Sequence, residues 1–86
     1  MDEIIIKFTP LERDLLLEHT FVDPDLTNRL KIAQVKGDHI VVKYSAQDLE
    51  ELIGYIAAEE NHTDDVKIKK SLDKLYDKLS DILDDF

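Results

Sequence analysis

The densest group of ionisable side chains in the sequence is the run Glu59-Glu60-Asn61-His62-Thr63-Asp64-Asp65. Glu59 and His62 stand three residues apart and share one face of any helix that reaches them. That is half of the Glu-x-x-His pattern with which carboxylate-bridged bundles hold metal ions. The chain has no second Glu-x-x-His, so a two-metal site within one subunit is not supported. A mononuclear site from Glu59, His62 and one of Asp64 or Asp65 is what the spacing allows, and oxygen and imidazole ligands suit Mn, Fe, Ni or Zn. The competing account is structural: His62 closes one helix near the negative end of its dipole, and the aspartates open the next. It needs no ligand, so no metal or other cofactor is assigned, and Glu59, His62, Asp64 and Asp65 stand only as candidates.

The other chemistry-bearing residues point less clearly to a reaction. His19 follows Glu18 and precedes Asp23 and Asp25, so a carboxylate could orient it as a general base, but an exposed histidine at a helix end has the same surroundings. His39 lies beside Gly37 and Asp38 at a turn. Ser45, Ser71 and Ser80 are explained as a cap and as helix-surface residues. The two glycines, Gly37 and Gly54, are too few and too far apart for a phosphate-binding loop. The absence of cysteine excludes disulfides, thiolate metal sites and cysteine nucleophiles. No catalytic residue is assigned.

Local sequence signals predict the elements that would position these residues. Ile4, Ile5 and Ile6 are β-branched and offer a short strand or arm. Thr9-Pro10-Leu11-Glu12 combines a cap, a first-position proline and an acid that reaches back to the cap, predicting a helix to about His19. Leu15, Leu16 and Leu17 widen the apolar stripe of that helix beyond one face, so they are expected to leave an apolar patch for a partner. Asp23-Pro24 predicts a short helical turn. Residues 31–44 predict a β-hairpin, with strands at 32–35 and 40–42 and Gly37 in the turn. On its second strand Ile40, Val42 and Tyr44 share one face, with Val41 and Lys43 on the other. A two-stranded ribbon is marginal alone, and Ile4–Ile6 is the only source of a third strand.

Ser45-Ala46-Gln47-Asp48 opens the next helix with a second capping box, and Tyr44 and Leu49 have the spacing of a hydrophobic staple. Gly54 interrupts this helix, which close approach of another backbone would explain. Thr63 is predicted to cap the last helix. There Ile68, Leu72, Leu75, Leu79, Ile82 and Phe86 alternate spacings of four and three, a heptad seam that can pack within the fold or pair with a second copy. The expected fold class is α+β: two longer amphipathic helices and a shorter N-terminal one, with the hairpin inserted before the second long-helix region. Residues 1–86 are expected to form a single compact domain.

Twenty Asp and Glu against eleven Lys and Arg give a formal charge of −9. That field opposes direct nucleic-acid binding. No stretch approaches a membrane span, and the acidic N-terminus lacks the features of a signal peptide, so the cytoplasm is the expected location. Between Ser45 and Asp65 there are seven acids and no Lys or Arg. Asp48, Glu50, Glu51, Glu59 and Glu60 are accordingly expected to present a negative face that docks a basic partner. The composite expectation is a small acidic protein-interaction or regulatory module without catalytic activity, able to self-associate through the heptad seam. The alternatives are a metal-binding protein or metalloenzyme built on Glu59 and His62, and an acidic mimic of nucleic acid that binds a basic protein.

Overall fold

The computed structural model of the protein describes residues 3–86. Its elements run β1 (Glu3–Phe8), α1 (Pro10–His19), α2 (Pro24–Lys31), β2 (Gln34–Lys36), β3 (His39–Ser45), α3 (Ala46–His62) and α4 (Val66–Asp85). The fold is α+β, with a three-stranded antiparallel sheet in the order β1-β3-β2. The isoleucine run is therefore a strand, and it pairs with β3 along its whole length, from Glu3 opposite Ser45 to Phe8 opposite Ile40. This pairing supplies the third strand that the hairpin requires.

Alternation along the strands sends two sets of side chains to opposite faces. Ile4, Ile6 and Phe8 on β1 and Ile40, Val42 and Tyr44 on β3 turn inward. They join Leu16, Leu30, Leu49, Leu52, Ile56, Leu72, Leu75 and Leu79 in one buried cluster. Tyr44 contributes the one polar atom of this set, and its hydroxyl donates to the Leu26 carbonyl at 2.7 Å. Among the described residues no buried side-chain polar atom lacks a partner.

Both predicted capping boxes form. Thr9 and Glu12 exchange hydrogen bonds at 2.8 and 3.1 Å, and Ser45 and Asp48 do so at 3.3 and 3.0 Å. Other boundaries differ from expectation. The short turn after Asp23 is an eight-residue helix. It runs on to Lys31, so Ile32 closes it with an N–H to the Asn28 carbonyl and the first hairpin strand starts at Gln34. The hairpin loop is Gly37-Asp38, with Gly37 at φ 61°. Glycine in the first position of a two-residue loop is the type II′ arrangement, whose twist suits paired strands.

Thr63 is the C-cap of α3, and Asp65 instead caps α4, its carboxylate accepting from the amides of Lys67 and Ile68. A carboxylate serves there better than a hydroxyl because it accepts two amides and carries charge against the dipole. The three-residue link between α3 and α4 makes the packed pair antiparallel. Gly54 faces outward, and a Cβ built on it would meet nothing within 4 Å, so no close backbone contact accounts for it.

One edge of the sheet is closed by side chains. The Lys78 ammonium donates to the Lys7 carbonyl at 2.7 Å and to Glu12 Oε1 at 2.8 Å, 5.6 Å from the centre of the Phe8 ring. These contacts tie α4 to β1 and α1 and blunt the free edge of β1. The opposite edge, β2, is three residues long.

Candidate functional site

The residues singled out by chemistry do not converge. His19, His39 and His62 terminate or begin three different elements, α1, β3 and α3. Glu59 and His62 lie in the last turn of α3, Asp64 in the link, and Asp65 is committed to capping α4. Among the described residues no group of three or more His, Asp or Glu side chains is arranged to hold a metal ion. The candidate residues Glu59, His62, Asp64 and Asp65 are thus not brought together, because α3 ends before Asp64 and the Asp65 carboxylate is directed at the amides of α4.

The leucine patch is also redistributed. Leu15 and Leu16 are buried and Leu17 is half-buried, so the core absorbs the side chains expected to remain free. The exposed apolar residue of α1 is Leu11, at the rim of a groove of about 480 Å³ between α1 and α4. Its walls mix charges, with Glu12, Asp14 and Glu18 from α1 facing Lys67 and Lys74 from α4. In the heptad seam Leu72, Leu75 and Leu79 are buried within the chain, Ile68 and Ile82 are half-buried, and Phe86 is exposed. Within the chain α4 packs against α3.

Of the predicted acidic face, Asp48 is engaged: its carboxylate completes the Ser45 box and pairs with Arg29 at 3.0 Å. Glu50 and Glu51 are exposed on α3, whereas Glu59 and Glu60 are half-buried. The Glu60 carboxyl is pushed above its ordinary range by desolvation and then by the neighbouring carboxylate of Asp73 on α4, with Lys69 opposing.

The clearest surface feature lies on the other side of the molecule. The outward residues of β1 and β3 include Ile5, Lys7, Val41 and Lys43, with Ile5 opposite Lys43 and Lys7 opposite Val41. Cation and apolar side chain therefore exchange strands in successive rows. β2 adds Gln34 opposite Val41 and Lys36 opposite His39. The segment leaving α2 stands beside this face and forms with it a concavity of about 730 Å³. Ile32 on its wall is 83% exposed and Ile5 on its floor 60% exposed.

Arg29 is fixed at one side of this concavity. It donates to the Lys43 carbonyl at 3.1 Å, pairs with Asp48, and lies 5.5 Å from the centre of the Tyr44 ring. Lys7, Lys36 and Lys43 have no ion-pair partner among the described residues, and no described acidic residue lines the concavity. In a chain of net charge −9 this is a local reversal of sign. Beneath it, burial pushes the Tyr44 hydroxyl up to about 12, with Arg29 lowering it and Asp48 raising it further.

Sequence reasoning placed Val41 and Lys43 together on one strand face but did not join them to Ile5, Lys7 and Lys36. The missing signal was the period-two pattern of β1, in which Ile5 and Lys7 alternate with the buried Ile4, Ile6 and Phe8. Comparison with protein families finds no family model that matches the chain, and comparisons with curated proteins and with solved structures likewise find no match.

Proposed function

We propose that the chain is a small acidic protein-interaction module without catalytic activity, acting in the cytoplasm, and that its sheet receives the acidic contact surface of a protein partner. The observation that carries this reading is the outer face of the sheet. Lys7, Lys36 and Lys43, which have no ion-pair partner among the described residues, line one concavity together with the apolar Ile5, Ile32 and Val41. Apolar side chains left in water beside lysines give this face both the apolar area and the polar contacts that protein interfaces combine. The helical side is the competing surface, with Glu50, Glu51 and the aspartates of α4 exposed. It would call for a basic partner, as would a nucleic-acid mimic.

A photo-crosslinking side chain at position 41 tests the reading in cells. The expected outcome is a discrete protein adduct whose crosslinked peptide is acidic, lost when Lys7→Glu and Lys43→Glu are combined. No adduct at position 41, or adducts only from the same group at Gln47 on the helical side, would overturn it.

A further inference from the structure

The outer sheet face has a chemical pattern specific enough to describe its occupant. Successive outward residues on a strand lie about 7 Å apart. Along β1 they read Glu3, Ile5, Lys7, and along β3 His39, Val41, Lys43, Ser45, running antiparallel, so that the Ile5–Lys43 and Lys7–Val41 rows lie between Glu3 at one end and His39 at the other. An extended polypeptide laid over these strands presents its own same-side residues at that same pitch, so acid and apolar residues alternating at two-residue spacing meet lysine and aliphatic in register. Ile32 supplies a further apolar wall, and Lys36 adds a third lysine.

From this match we infer that the concavity binds an extended acidic segment of a partner protein in which carboxylates and apolar side chains alternate. The inference rests on the reading of the chain as an interaction module, and it specifies that module's ligand. Three observations favour a polypeptide over other anionic partners. No Phe, Tyr or Trp is among the described residues lining the concavity, where single-stranded nucleic acids would want a stacking platform. Val41 is half-buried and lines a concavity walled on one side by the segment leaving α2, a shape that suits a narrow chain rather than a flat bilayer. The net charge of −9 disfavours close approach to any extended anionic surface, whereas a short segment meets mainly the local lysines.

The test is fluorescence anisotropy with a labelled peptide of three Glu-Ser-Leu-Ser repeats, titrated with the whole protein. Binding is expected to weaken by about tenfold or more when Lys7→Glu and Lys43→Glu are combined, and to weaken with salt. It should be unchanged by Glu50→Lys with Glu51→Lys on α3. All four positions are exposed, so folding of the variants is checked by circular dichroism. A second variant, Ile32→Ser, should also weaken binding without altering charge.

Failure of the peptide to bind, or equal binding by the Lys7→Glu, Lys43→Glu variant, would overturn the inference. So would preferential binding of a single-stranded oligonucleotide or of phosphatidylserine vesicles, or head-to-tail oligomers at low salt in place of peptide binding. Those outcomes reject the proposed segment and are separate from the crosslinking result at position 41, which alone decides whether the face contacts a protein at all.

Discussion

Replacing Tyr44 with phenylalanine isolates one buried hydroxyl whose effect on stability should change sign with pH. The ring is fully buried, and the hydroxyl donates to the Leu26 carbonyl, fastening β3 to α2. Removing it at pH 7 is expected to cost about 1 kcal/mol, the usual net worth of such a bond. In the wild type, burial raises the hydroxyl from 10.0 to about 12. The folded protein therefore keeps a proton that the unfolded chain releases. Stability from this group is fully present below the unfolded value and is lost as pH rises through the folded one. The loss amounts to roughly 1 kcal/mol by pH 11 and roughly 2 kcal/mol by pH 12. Tyr44→Phe has no such proton, so the two stability curves should cross near pH ~11, with the variant the more stable above it. Paired urea melts from pH 7 to 12 measure the difference directly, and other titrating groups cancel in the subtraction. A difference that stays constant across that range would refute the assignment of a buried, neutral Tyr44.

Further expectations follow from packing and from local charge. Gly54→Ala should stabilise the protein by roughly 0.5–1 kcal/mol, because the site is helical, exposed and open, and a urea melt showing destabilisation would mean something packs there. Leu79→Ala, at a fully buried point of the α3–α4 contact, should cost about 2–4 kcal/mol by the same measurement. Glu60→Gln removes like-charge repulsion from Asp73. The raised carboxyl means that this repulsion acts at neutral pH and fades as Glu60 takes up its proton in acid. Thermal melts should therefore show a gain of a few tenths of a kcal/mol at pH 7, and little at pH ~3.

The features legible in the sequence are those decided within a few residues. Thr9 with Glu12 and Ser45 with Asp48 form capping boxes because each needs only a turn of helix to close. The period of Ile68, Leu72, Leu75 and Leu79 marks a buried stripe for the same reason. Features decided by tertiary neighbours were not legible. Three consecutive leucines at 15–17 are equivalent in one dimension, and only the placement of α1 against the sheet and α4 sends Leu15 and Leu16 inward. A heptad seam has the same spacing whether its partner is α3 or another copy. Thr63 and Asp65 are both good caps, and the choice depends on where the link must turn.

The cationic face was hidden by averaging. Its lysines are scattered over three strands in a chain dominated by acids, and they become one surface only through the β1–β3 and β2–β3 registers. The converse holds for Asp48, which belongs to an acidic run in sequence yet spends its charge on Arg29 and on the Ser45 cap.

The most direct measurement is a two-dimensional amide NMR titration of the isotope-labelled protein with the Glu-Ser-Leu-Ser peptide. Saturable shifts confined to the amides of Ile5, Lys7, Ile32, Lys36, Val41 and Lys43 would place the ligand on the open side of the sheet, as this account predicts. Shifts centred on Glu50, Glu51 and the exposed aspartates of α4, or spread along the α1–α4 groove around Leu11, would contradict it.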